Sequence, residues 1–343
     1  MWLCSRLLIV IAIKFIAPLV PSSVIQLDPR AVPDFTPALG WHLFTHFDGG
    51  AYKTIVTAGY DYANDGEKHN IVFFPLYPLL VYGVMTLGIP FEVAGTIVNN
   101  LGLLGAMLIL YSWVEERHNI NTARWVTAVL AWCPFSLFGT VTYTEGLFLL
   151  VTTAALRSFD KQQYTSAAVW GALATATRVP GAALIPAFLF EAWRERKPPI
   201  AYAAALATAV GLLLFMTYCA ITFGDPLAFV HAQQPWMQQP SLHKGIRSFL
   251  NFATIFASGY LLWRVSKKLA PVAVAYGFSS LALILISGAF LSVSRFLYGN
   301  VSLSLALGVL LARYPRWGYP LMSLFAILLL LFSIRFAWKL WVA

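Results

Sequence analysis

Residues 97–114 read IVNNLGLLGAMLILYSWV, without one charged side chain, and comparable apolar runs recur along the chain, separated by short clusters of Lys and Arg. Runs of this kind bury themselves in lipid or in one another, so they exclude a water-soluble domain. Composition agrees: 59% of the 343 residues are hydrophobic and only 11% are charged. The chain therefore reads as an all-α polytopic membrane protein. Its net charge of +9 does not indicate nucleic acid, because the basic residues form no continuous face and accompany no nucleic-acid motif. Cys4, Cys133 and Cys219 lie in or beside apolar segments without metal-ligand spacing, so they imply neither a disulfide framework nor a zinc site.

Span and orientation can be read together, because a spanning helix needs about 20 apolar residues and cytoplasmic loops collect Lys and Arg. The first run, residues 7–25, has a basic start but no small-residue cleavage site, and reads as a retained helix rather than a signal peptide. With the N-terminus inside, the polar stretch 26–70 falls outside. Counting 71–89 as a span would place the Arg117 to Arg124 loop outside and invert every later cluster. If that segment instead lies along the outer interface, Arg117/Arg124, Arg157/Lys161, Arg194/Arg196/Lys197, Arg264/Lys267/Lys268 and Arg313/Arg316 all fall inside.

The resulting spans are 6–25, 93–114, 125–141, 146–158, 164–178, 180–193, 200–222, 248–264, 271–291, 296–312 and 319–338. That is about eleven crossings, some short enough to suggest tilted or half helices around a cavity. No internal repeat or soluble domain interrupts the chain, which reads as a single membrane domain over 1–343. Its extracytoplasmic loops are 26–92, with interfacial helices, and 223–247.

This threading gathers Asp48, Glu145, Arg178, Asp225 and Arg295 at the outer ends. A lone charge at the bilayer centre costs about 2.5–3.5 kcal/mol, so such groups pair or line a wet cavity. In HFDGGAYKTIVTAGY, residues 46–60, two glycines beside Asp48 allow a sharp turn and close approach of a ligand. Its carboxylate can take a proton from an attacking hydroxyl, or it can cap an interfacial helix that ends near Gly59. FFPLYP, residues 73–78, places Tyr77 in an aromatic, proline-broken stretch that serves as an interfacial anchor or as a pocket wall.

TVTYTEGLF, 140–148, turns Tyr143 and Glu145 toward the same side, with Glu145 also suited to a helix N-terminus. TATRVPG, 175–181, ends a helix at Arg178, a fork for phosphate oxygens or a snorkelling interfacial cation. In FGDPLAFVHAQQPW, 223–236, Asp225 opens a turn and Trp236 closes an aromatic, amide-rich run suited to stacking on a sugar, or simply to an interfacial loop. Arg295, in SVSRFLYGN, is a second phosphate candidate.

The ordered series FDGGAYKTIVTAGY, FFPLYP, YTEGLF, GALATATRVPG and GDPLAF with a following AQQPW covers about residues 41–240. In that order it resembles the PIG-V type mannosyltransferases, the GPI mannosyltransferase 2 family and its bacterial relatives in the GT-C superfamily. The resemblance implies a multispanning enzyme that moves a hexose, here mannose, from a polyprenyl-phosphate carrier to an acceptor hydroxyl on the non-cytoplasmic face, with inversion. The acceptor could be a glycolipid, a polymer or a protein. The resemblance also implies that Asp48 is the essential acid of the first outer loop, and that Tyr143, Glu145 and Arg178 match family positions. Tyr52, Tyr77, Asp225, Trp236 and Arg295 complete the expected substrate contacts. The chain departs from the pattern at Phe47, where the family has Trp, and at Val179 and Pro180, where it often has a small polar residue and Asn.

No nucleotide-binding motif accompanies this series, as suits a donor that already carries its phosphate at the membrane surface. No cofactor is expected, and no metal-ligand spacing is seen. A transporter or flippase of lipid-linked sugar is the competing reading, but it predicts repeated halves and charges spread through the midplane. A scaffold subunit beside a separate catalyst is the third.

Overall fold

The computed structural model describes residues 1–342 apart from 27, 29–31, 33–34, 235–243 and 288–291. Among the described residues every regular element is helical. The first run forms α1 (Trp2–Ile11) and continues through wider and tighter turns to Leu19 as one apolar rod. After an irregular stretch come α2 (Asp48–Ala58) and α3 (Leu76–Met85). At 1.5 Å per residue each is about 16 Å long, too short to cross a bilayer core of about 30 Å. The segment 71–89 accordingly contains no helix of spanning length, which is what the basic clusters require.

The rest of the bundle is α4 (Phe91–Arg117), α5 (Ile120–Trp132), α6 (Glu145–Asp160), α7 (Tyr164–Thr177), α8 (Leu184–Arg194), α9 (Pro199–Ala207), α10 (Val210–Phe223), α11 (Lys244–Val265), α12 (Pro271–Ser287), α13 (Val293–Gly299), α14 (Val301–Arg313) and α15 (Pro315–Ala337). Three expected spans are corrected. The helix drawn over 125–141 stops at Trp132, because Pro134 lacks an amide proton and its ring collides with the preceding turn; a tight helix, Pro134–Gly139, follows. Pro180 and Gly181 likewise delay the helix drawn from 180, leaving a tight turn over Val179–Ala183 before α8. The span drawn over 296–312 bends by 73° between α13 and α14. Asn300 holds that bend, accepting from the Ser302 amide and donating to the Gly277 carbonyl.

Among the described residues four helical stretches are individually long and apolar enough to cross a membrane: Trp2–Leu19, Phe91–Arg117, Pro199–Phe223 and Pro315–Ala337. The bent pair α13–α14 is apolar enough for a fifth when its two helices are counted as one span. The other helices are shorter or more polar, and the proline breaks are one cause.

Helices α4 and α6 form the central packed pair. Their backbones touch at Gly102 and Gly146, where an added Cβ would collide with the Leu147 amide and with the Asn99 carbonyl respectively. The same two helices define the ends of the molecule. At one end Arg157 and Lys161 pair with Glu116, while Arg117 faces Asp160 and reaches the Leu269 carbonyl. At the other, about 25 Å along α4 from Glu116 to Asn99, lies the turn that leads into Glu145.

Candidate functional site

That turn, residues 133–144, is short of regular hydrogen bonds and is held by side chains from three directions. Asn99 donates to the Phe138 and Val141 carbonyls and accepts from the Gly146 amide, each at 2.7 Å. Arg6 donates to the Ala131 and Ser136 carbonyls and to the Thr140 hydroxyl. The Thr142 amide and hydroxyl both donate to the Phe44 carbonyl, which ties the turn to the segment preceding α2. Groups that could not stay unpaired in an apolar bundle thereby fix the start of α6 relative to the start of α2.

Asp48 is the first residue of α2, and no side chain caps that helix. Its carboxylate instead accepts from Arg295 at 2.7 Å, across 247 residues of sequence. Arg295 also donates through Nε to Glu145 at 2.9 Å and through a terminal nitrogen at 2.8 Å. Arg178, at the end of α7, donates to the same Glu145 oxygen at 2.8 Å. The result is a chain Asp48, Arg295, Glu145, Arg178 with two formal charges of each sign. Glu145 is fully buried, Arg295 and Arg178 nearly so at 7% and 12% exposed, and Asp48 is the most open at 19%. The second Glu145 oxygen has no partner among the described residues.

Aromatic rings collar the Arg295 guanidinium, with Tyr143 at 4.6 Å, Phe138 at 4.9 Å and Trp341 at 5.8 Å from ring centre. Such contacts favour a desolvated cation by about 0.5–2 kcal/mol each. Phe47 packs edge-on against Trp341 and Phe336. Its φ of 54° is a left-handed conformation that a bulky residue rarely adopts, so local backbone strain lies immediately before Asp48. Beside it, His46 is buried and held neutral, its pKa lowered to about 4 by burial and then by the charge of Lys339.

The glycines after Asp48 differ. A Cβ at Gly49 would strike the Thr142 hydroxyl, whereas Gly50 faces open space.

The structure thus brings together Asp48, Tyr143, Glu145, Arg178 and Arg295. Tyr52 is one turn beyond Asp48 and stacks edge-on against Phe73 and Tyr77; burial raises its phenol pKa, and the Arg178 charge works against that rise. Tyr77 is wholly buried and donates to the Gly95 carbonyl. Asp225 stands apart, accepting from Tyr62 at 2.7 Å and contacting His231 at 2.7 Å; bonds from these two side chains outweigh its desolvation and keep its pKa low. Trp236 lies outside the described residues. The sequence reading missed Phe138 and Trp341 in the collar, Phe336 behind Phe47, and the pinning role of Arg6 and Asn99. The adjacent Asn99 and Asn100, inside an otherwise apolar run, were the available signal for the latter.

Neither a protein-family model nor a curated protein matches the chain. Solved structures do. ArnT from Cupriavidus metallidurans bound to undecaprenyl phosphate is similar with a TM-score of 0.56 at 13% identity, over 94% of this chain and 62% of that one. Its apo state gives 0.55 at 14% identity over the same shares. The Archaeoglobus fulgidus oligosaccharyltransferase, in complex with Zn and sulfate, gives 0.50 at 14% identity over 98% of this chain and 52% of that one. The chain spans about three fifths of the length of the ArnT structures it matches. At these identities the likeness establishes the fold alone, an all-helical bundle shared with these structures.

Proposed function

We propose that the chain is a glycosyltransferase that moves a hexose, mannose by the motif resemblance, from a polyprenyl-phosphate donor to an acceptor hydroxyl on the non-cytoplasmic face. The observation that carries this reading is the buried Asp48, Arg295, Glu145, Arg178 chain at the end of the bundle opposite the basic connections. The similarity to ArnT bound to undecaprenyl phosphate supports the donor class.

The chemistry follows from charge. Arg295 is neutralised by Asp48 and Glu145, which take its hydrogen bonds. A donor phosphate competes with Asp48 for Arg295 and with Glu145 for Arg178, and Arg matches its paired oxygens. Asp48, the more exposed acid, is released as its partner turns to the phosphate, and accepts the proton of the attacking hydroxyl. The new bond forms from that oxygen to the anomeric carbon. The bond from the anomeric carbon to the phosphate oxygen breaks, and its electron pair leaves on the phosphate. The growing negative charge there is stabilised by Arg178 and Arg295, already oriented by Glu145 and by the aromatic collar. Attack opposite the leaving phosphate inverts the anomeric centre. Tyr52, Tyr77, Asp225 and Trp236 remain part of the proposal as substrate-binding candidates.

The test uses purified protein in lipid nanodiscs with polyprenyl-phosphate-mannose and a panel of hydroxyl acceptors. Asp48→Asn keeps an acceptor for Arg295 but removes the base, and turnover is expected to fall by about 100-fold or more. Full transfer by the variant would remove Asp48 from the mechanism. Movement of intact carrier between leaflets without bond cleavage would instead identify a transporter.

A further inference from the structure

At the end of the molecule opposite the charged site, a cavity of about 510 Å³ opens between α1, α5 and α15. The direction of these helices is fixed by their contacts. Met1 lies against Thr127 while Arg6 reaches Ala131 and Ser136, and Tyr319 packs on Trp125 while Phe332 packs on Phe135. The three helices therefore run parallel and all begin beside the cavity.

The lining is graded. Asn121 and Arg124 stand at the mouth, and Ala128, Trp132 and Ala326 lie further along the helices. From Asn121 to Trp132 is about 16 Å of helix, close to the apolar depth of one leaflet, which is half of about 30 Å. Arg313 and Arg316 lie at the same end, where α14 turns into α15, and Arg316 is one turn before the lining residue Tyr319. Arg124, Arg313 and Arg316 are all exposed. Among the described residues no carboxylate pairs with any of them, whereas Arg117, Arg157 and Lys161 at the neighbouring connections all face acids. Trp317 and Tyr319 are exposed beside them, as at a headgroup boundary.

We infer that this cavity is a binding site for an anionic phospholipid of the leaflet opposite the charged site. Unpaired arginines at the mouth match a headgroup phosphate and its additional negative charge, and the apolar lane along α5 and α15 takes an acyl chain. The charge is the discriminating feature, because a zwitterionic headgroup brings its own cation to the arginines. The site is independent of the transfer reaction, and none of its residues belongs to the charged chain.

Native mass spectrometry of the detergent-purified protein titrated with phosphatidylglycerol and, separately, phosphatidylcholine tests the inference. Phosphatidylglycerol is expected to bind in preference, and each of Arg124→Gln and Arg316→Gln to weaken it by about fivefold. Ala128→Leu, which fills the lane and leaves the charges, is expected to weaken it as well. Equal binding of the two lipids, or tight binding by all three variants, would overturn the site. Displacement of bound phosphatidylglycerol by inorganic phosphate alone would overturn the lipid assignment in favour of a small anion.

Discussion

Arg295 looks in the sequence like an isolated outer-end arginine, but in the structure it is the joint of the site. Its guanidinium pairs with both Asp48 and Glu145, and its burial makes both contacts obligatory. Removing one member of such a set unbalances it by one charge in an apolar setting, whereas removing one member of each sign keeps it neutral. Arg295→Met is therefore expected to destabilise the protein by about 3–5 kcal/mol, and Arg295→Met combined with Glu145→Leu by clearly less than the sum of the two single changes. Thermal unfolding in detergent measures this, and simple additivity would mean that the two residues do not act as a unit. Asp48 shows how a residue type underdetermines its role. Its position at the first turn of α2 suits capping, yet the carboxylate turns to Arg295, and no side-chain cap forms.

At the scale of elements, α2 and its neighbours explain why two glycines follow Asp48. They read alike in the sequence as freedom for the backbone and room for a ligand. The structure separates them: Gly49 is a packing glycine against the 133–144 turn, and Gly50 is the open one. Gly49→Ala is expected to cost about 1–3 kcal/mol by overpacking, and Gly50→Ala to be neutral or to stabilise α2 by about 0.5–1 kcal/mol. Comparison of unfolding midpoints for the two variants checks this, and equal losses would refute the distinction. One helix end was legible at Gly59, which closes α2 with a φ of 88°. Others were misplaced at Pro134 and at Asn300. An apolar run looks continuous by hydropathy even when one missing amide proton or one side-chain amide divides it.

At the scale of the molecule, the arrangement is polar in the literal sense. The Arg117, Arg157, Lys161 and 267–269 connections meet at one end of α4 and α6, and Asp48, Glu145 and Arg295 at the other. If the positive-inside pattern sets the orientation, these ends lie on opposite sides of the membrane. In a background without Cys4, Cys133 and Cys219, Asp65→Cys is expected to react with an impermeant maleimide from outside intact cells, and Lys268→Cys only after permeabilisation. Both positions are solvent-exposed, so the reverse pattern would invert the topology. Between α2 and α3, His69 contacts Asp61 and Asp65 at 2.8 and 2.9 Å, and those bonds raise its pKa.

The sequence alone indicated apolar helices that bury in lipid, basic clusters set apart from the acids, and an ordered series of motifs that contains Asp48, Glu145 and Arg178. These follow from local quantities: hydropathy over a span, the sign of charge at its ends, and short patterns. Only the tertiary structure decided that Asp48 meets Arg295, that Glu145 holds both arginines, and that Asp225 keeps to a separate pair. Such contacts join segments up to 247 residues apart. They depend on where helices stop and how closely they cross, through side-chain hydrogen bonds from Asn99 and Arg6 and a backbone contact at Gly146. A buried charge is costly enough to require a partner, but which partner it finds is set by packing.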